Sequence, residues 1–207
     1  MRKYTGFLLG MALMLSAVSA FAAGEVYVTS VKKVPTSGGA VKEIAKIVLN
    51  DCLEVRDIGV VEKAGAKSLK YPVYSTKKGK SYPQFEVLTK QAKDEIEKAI
   101  YSGKPSQKTS KAITFKISKF SMFTRPSSLK AFASIDFNNS VRVECKVMTG
   151  RKGPWISWPA NKDEESGRYI KQISIVNKKV KDIIEKALLD KYGKMAKETS
   201  TEDEDAE

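Results

Sequence analysis

The strongest constraint on this chain is that it repeats itself. Val41-Lys42-Glu43-Ile44-Ala45-Lys46-Ile47-Val48-Leu49-Asn50 lines up with Leu129-Lys130-Ala131-Phe132-Ala133-Ser134-Ile135-Asp136-Phe137-Asn138 at an offset of 88. Asp94-Glu95-Ile96-Glu97-Lys98-Ala99-Ile100 lines up with Asp182-Ile183-Ile184-Glu185-Lys186-Ala187-Leu188 at the same offset, and Pro72 matches Pro159 at 87. Units of this size fall within the range of small domains. Residues 105–112 form the linker, which overlaps the turn-rich run 103–110.

Both halves read alike. Val26, Val28 and Val31, then Ile44, Ile47 and Leu49, then Leu53, Val55, Ile58 and Val60 mark three β-branched apolar segments, with Asn50-Asp51 as a tight turn between the second and third. Leu69 and Tyr71 suggest a fourth strand, Phe85 and Val87 a fifth. Thr89 caps a helix whose apolar stripe is Ala92, Ile96, Ala99 and Ile100; Asn177 caps its counterpart, with Val180, Ile183, Ile184, Ala187 and Leu188 as the stripe. Stripes of this spacing read as core. The expected fold is α+β: two tandem units, residues 25–104 and 113–197, each an antiparallel four- to five-stranded sheet with one C-terminal helix. A lone unit of this kind has open edges and a marginal core. Two on one chain can join as an intramolecular pseudo-dimer.

Composition removes most chemistry. The chain has no histidine and two cysteines. That excludes Ser-His-Asp and Cys-His catalysis and a closed four-thiolate zinc site. Asp51, Asp57 and Glu62 are scattered over hairpin and strand ends, which motivates no carboxylate-pair hydrolase. Neither enzyme activity nor a cofactor or metal is expected.

Residues 1–22 read as a signal peptide: a basic start at Arg2 and Lys3, an apolar stretch over 7–18, and Ala20-Phe21-Ala22 ahead of a mature start at Ala23. The apolar stretch is shorter than the roughly 20 residues that span a bilayer. The expectation is an exported protein, periplasmic or secreted. An uncleaved anchor is the alternative if Ser19 to Gly24 also inserts. An oxidising compartment permits a disulfide between Cys52 and Cys145, and two small buried thiols are the other reading.

Residues 198–207 carry six acids and no base, and are expected as a disordered tail that either folds over a basic face or keeps the protein soluble. Setting aside the leader's two bases and those six acids turns the chain's net charge of +13 into +17 on the body. Such an excess attracts polyanions: nucleic acid, anionic lipid or wall polymer. A merely solvated basic surface is the plain alternative.

The hairpin residues Ile47-Val48-Leu49-Asn50-Asp51-Cys52-Leu53-Glu54-Val55-Arg56-Asp57-Ile58-Gly59-Val60-Val61-Glu62 closely resemble those of the SpoVG family, septation proteins of stage V sporulation. Val28-Thr29-Ser30-Val31-Lys32-Lys33-Val34 is similar to that family's basic first strand. Gly153-Pro154-Trp155-Ile156-Ser157-Trp158-Pro159-Ala160-Asn161-Lys162 matches its glycine, apolar strand, proline and following base. The resemblance implies proteins that dimerise through their sheets, bind DNA or RNA and act in septation and gene regulation. This chain departs from the family in carrying two units and an export signal. It also has Val73-Tyr74-Ser75-Thr76 at the post-proline turn, and Glu144-Cys145 where the first half has Arg56-Asp57.

Three basic groups are candidate polyanion contacts. Lys77, Lys78 and Lys80 follow Pro72, where the resemblance places a base. Arg151, Lys152, Lys162 and Arg168 flank the tryptophan strand. Lys178, Lys179 and Lys181 open the second helix, where cations oppose the helix dipole and a bound anion would reverse that penalty. Screening by solvent and salt is the alternative. Residues 25–104 have a net charge of +5 and residues 113–197 of +10, which favours the second half as the binding unit. Trp155 and Trp158 are stacking candidates; three apart on a strand they face opposite sides, one toward the core. The readings are a SpoVG-like, non-enzymatic polyanion binder, or an exported envelope or septum-associated protein using the same face on wall polymer or a protein partner. Oligomerisation beyond the internal pair stays open.

Overall fold

The computed structural model describes residues 25–76, 78–106, 112–163 and 166–204, with side chains described to residue 198. The leader lies outside them, as do residues 107–111 of the linker. The first half gives β1 (Val28–Pro35), β2 (Val41–Leu49), β3 (Leu53–Lys63), β4 (Ala66–Lys70), the short pair β5 (Val73–Ser75) and β6 (Ser81–Pro83), β7 (Phe85–Val87) and helix α1 (Lys90–Ser102). The second half repeats that order: β8 (Phe115–Met122), β9 (Leu129–Phe137), β10 (Val141–Gly150), β11 (Gly153–Ser157), β12 (Ala160–Lys162), β13 (Tyr169–Lys171), β14 (Ile173–Ile175) and α2 (Lys178–Glu204).

The central hairpins follow from their turns. Asn50 and Asp51 both have positive φ, 49° and 52°, and Asn138 and Asn139 both have 50°. Two left-handed residues in a row make the hairpin turn whose twist matches the strands, and Asn and Asp tolerate that conformation. Glu25 ties the turns together: its carbonyl accepts from Asn50 Nδ2 at 3.3 Å and from Asn138 Nδ2 at 3.1 Å.

The fifth strand of each sheet comes from the other half. One sheet runs β1-β2-β3-β14, with β4 on the far end of β3; the other runs β11-β10-β9-β8, with β7 on β10. Ile173, Ser174 and Ile175 pair with Val55, Glu54 and Leu53, while Phe85, Glu86 and Val87 pair with Val143, Arg142 and Val141. Matching backbone bonds extend the exchange. Arg56 N–H donates to the Gln172 carbonyl at 2.8 Å, and Glu144 N–H to that of Gln84 at 3.1 Å. The expected fifth strand at Phe85 and Val87 therefore exists, but it closes the second sheet rather than its own. Alternation marks a strand without naming its partner. The β5–β6 and β12–β13 hairpins, each just before an exchanged strand, carry the chain across.

Along β10 the buried residues are Val141, Val143, Cys145 and Val147; β14 and β7 insert Ile173, Ile175 and Phe85 into the same core. The core is one cluster drawn from both halves. Thr89 Oγ1 accepts from Ala92 N–H at 3.2 Å and Gly103, at φ 68°, ends α1, which buries Ala92, Ile96, Ala99 and Ile100. Asn177 Oδ1 accepts from Val180 N–H at 3.2 Å, and α2 buries Ile184 and Leu188. Ile183, expected in that stripe, is 59% exposed. It lies about 100° round the helix from Ile184, beyond the narrow seam that α2 presents. Helix α2 also runs past residue 198 to Glu204, so most of the tail expected to be disordered continues the helix. Once a helix is nucleated each further residue adds a hydrogen bond, which carries α2 on through Thr199, Ser200 and Thr201, residues of only middling helix propensity. Cys52 and Cys145 are buried free thiols; burial pushes Cys52 up to about 11 and Cys145 higher. No helix among the described residues is long and apolar enough to cross a membrane.

Candidate polyanion-binding surface

The basic candidates sit on turns and a helix start. Lys78 and Lys80 occupy the β5–β6 turn, closed by bonds from Thr76 N–H to the Lys80 carbonyl at 2.8 Å and from Gly79 N–H to the Thr76 carbonyl at 3.0 Å; Lys77 lies outside the described residues. Arg151 and Lys152 form the β10–β11 turn, which needs Gly153 at φ 100°. Lys162 is the last residue of β12, and Arg168 directly precedes β13. Lys178, Lys179 and Lys181 lie in the first turn of α2; Lys181 is 3.7 Å from Glu185 and so partly neutralised.

These groups do not converge on one pocket. Val176 N–H bonds to the Cys52 carbonyl at 2.7 Å, which holds the start of α2 beside the first hairpin turn, where Glu25 also binds. Arg151 and Lys152 lie at the far end of β10, about 30 Å along the strand from the second turn. The arrangement is a set of cationic projections suited to a long, flexible anion.

The tryptophans separate as their spacing suggests. Trp158 is buried at 7%, and its indole N–H donates to Glu185 Oε1 at 2.7 Å, docking α2 on the end of β11. Trp155 is 50% exposed, so of the two tryptophans it is the one that offers a ring to a ligand.

Charge on the outer faces is reversed between the halves. Glu54 accepts from Arg56 Nε at 2.6 Å and pairs with Lys46 at 3.1 Å. Burial alone would raise Glu54, but these bonds hold it below the usual carboxylate range. At the matching positions stand Arg142 and Glu144. Arg142 donates to both oxygens of Asp136, at 2.7 and 3.0 Å, and lies 3.9 Å from Glu86 on the exchanged β7. Asp136 is held low by those bonds against its burial, whereas burial and nearby Glu86 raise Glu144. These carboxylates are committed to structural pairs. Among the described residues no group of three or more Cys, Asp or Glu is placed to hold a metal ion.

Further along that outer face, Lys146 sits opposite Phe132 on β9 and Ser157 on β11, and Trp155 sits opposite Met148. Lys146 and Phe132 belong to no basic group of the sequence reading. The observed register pairs Phe137 with Val141, one residue beyond a two-residue Asn138-Asn139 turn, and counting from that turn would have set Phe132 opposite Cys145 instead.

Residues 112–194 match the SpoVG family model. The match runs from just before β8 into α2 and covers one unit, the more basic one. Every basic candidate except those of the β5–β6 turn lies within the matched residues, as do both tryptophans. No curated protein matches the chain.

Proposed function

We propose that the chain is a SpoVG-like, non-enzymatic, septation-linked regulator that binds polyanions, nucleic acid foremost, through basic turns of an intramolecular pseudo-dimer of two SpoVG-like units. The observation that carries this reading is the SpoVG match on the unit of net charge +10. The exchanged strands support the pseudo-dimer, because each sheet is completed by the other half. Arg151, Lys152, Lys162, Arg168, Lys178, Lys179 and Lys181 are the contacts, joined by Lys78 and Lys80. A polymer lying across several such projections releases counterions from each, so affinity falls steeply with salt.

Titrating labelled DNA and RNA across a salt series tests the reading. The expected result is a linear fall of log affinity with log salt, its slope shallower by about one for each contacting lysine or arginine changed to glutamine. Affinity indifferent to salt refutes it. Export through residues 1–22 is part of the proposal, and the N-terminus of the protein recovered from fractionated cells decides that part. Exported protein that binds wall polymer or an envelope protein but no nucleic acid would establish the alternative of a septum-associated interaction protein.

A further inference from the structure

Lys146 is a half-buried cation whose pKa burial lowers, and its described partner is a ring: its ammonium lies 4.6 Å from the centre of Tyr74 on β5. Among the described residues no carboxylate pairs with it; Glu86, Asp136 and Glu144 gather around Arg142 nearer the start of β10. A cation kept partly out of water without a counter-ion favours an incoming anion. The groups around it are flat and exposed. Phe132, directly opposite, is 42% exposed, Trp155 one rung along is 50%, and Tyr74 is 45%. Large apolar side chains standing in solvent on a sheet face normally mark a contact surface. Arg151 and Lys152 lie at the turn beyond Trp155 and Lys130 stands two residues from Phe132, so positive charge flanks the rings on more than one side.

Resting on the polyanion reading, we propose that this outer face of the second sheet, from Trp155 across Lys146 to Phe132, binds single-stranded nucleic acid. Bases stack on the exposed rings, and Lys146, Lys130 and the β10–β11 turn meet the phosphates. Neighbouring side chains across a sheet lie ~5 Å apart and successive ones on a face about 7 Å, so Trp155 and Phe132, two strands apart, are spaced for bases of an extended strand. A duplex hides its base faces and cannot use the rings, whereas a single strand exposes them. Tyr74 adds a contribution from the first half, since the β5–β6 hairpin reaches Lys146 only because β7 pairs with β10.

The test titrates the full chain with fluorescein-labelled oligo(dT) of about 20 nucleotides, longer than the ~4–16 that one small single-strand-binding fold covers. Heparin, which is anionic but has no bases, serves as the parallel ligand. Trp155→Ala and Phe132→Ala should each weaken oligo(dT) by about 5- to 150-fold and leave heparin unchanged, with Trp155→Phe retaining most of the affinity. Lys146→Met should weaken oligo(dT) and reduce its salt dependence. Oligo(dT) should quench the exposed Trp155 emission while heparin does not. Unchanged thermal melting of the Trp155 variants establishes that they fold. If the ring variants leave oligo(dT) binding unchanged, or weaken heparin equally, the stacking site is refuted while a salt-dependent polyanion function stands. If the wild type binds neither ligand, the polyanion reading falls with it. Trp155-dependent binding of an anionic wall glycan without oligo(dT) would also overturn the assignment.

Discussion

Replacing Phe85 by Ala should destabilise both halves of the chain together, including the half in which Phe85 does not lie. Phe85 belongs to the first half by sequence, but it is 2% exposed, pairs with Val143 on the second sheet and packs its ring 5.3 Å from Tyr71. Truncating a buried Phe costs about 3–5 kcal/mol, against a total stability of about 5–15. At roughly 2–4 °C per kcal/mol for a chain of this length, the midpoint should fall by about 6–20 °C. Both tryptophans lie in the second half, at 155 and 158, so fluorescence reports that half while far-UV circular dichroism reports both. Exchanged strands require the two signals to fall together, in one transition. The mirror variant, Ile173→Ala in β14, should likewise lower stability by about 2–5 kcal/mol in a single step. A tryptophan midpoint that stays in place while the dichroism splits into two steps would show that the halves fold independently, and the reciprocal pairing would be wrong.

Four further outcomes follow from individual side chains. Asp136 is held below its ordinary value, so its contribution is present above that value and lost as pH falls through the folded one. Asp136→Asn should therefore cost about 1–3 kcal/mol near neutrality and flatten the acid limb of a stability–pH curve measured by urea unfolding. Glu144 shows the opposite sign. Its folded value is raised, so stability declines as pH rises from the ordinary carboxylate range through the raised one; Glu144→Gln should remove that decline and be no less stable at pH 7. Trp158→Phe deletes the bond to Glu185 and should cost about 1.5–3 kcal/mol in chemical denaturation, leaving only the solvent-exposed emission of Trp155. Neither buried thiol should react with a chromogenic disulfide reagent in the native protein, and both should react in denaturant; no reaction in denaturant would mean a Cys52–Cys145 bridge instead.

What could be read beforehand was whatever depends on local pattern. The Asn50-Asp51 turn, the Thr89 and Asn177 caps and the stripe of α1 are set by residues within a few positions of one another, and all stand as expected. Partner choice is not local. Phe85-Glu86-Val87 is too short to carry a register of its own, and its place on β10 depends on the length of the β5–β6 hairpin and on what the second sheet leaves unpaired. The same limit hid Tyr74, which meets Lys146 only after the exchange. The basic turns were found because charge shows in composition. That Arg151 and the start of α2 lie at opposite ends of the molecule needed the strand directions.

Joining two units on one chain has a consequence that a pair of identical chains cannot have. Identical chains must carry the same residue at both equivalent positions, so a face good at binding is duplicated whether or not its partner tolerates it. Here the matching positions diverge. Glu54 and Arg56 face Arg142 and Glu144, Ile44 stands where the second half has Phe132, and Ser68 where it has Trp155. The first half also bulges at Asp57, with φ 58°, while β10 runs straight through the matching Cys145. The aromatic face and the larger cationic excess both fall in the second half, and the first contributes β7, Tyr74 and a less charged sheet. Because β14 returns the exchange, the second half cannot loosen without exposing Val55 and Leu53 of the other. The exchange therefore lets the faces of the two halves diverge while both share the stability of a single core.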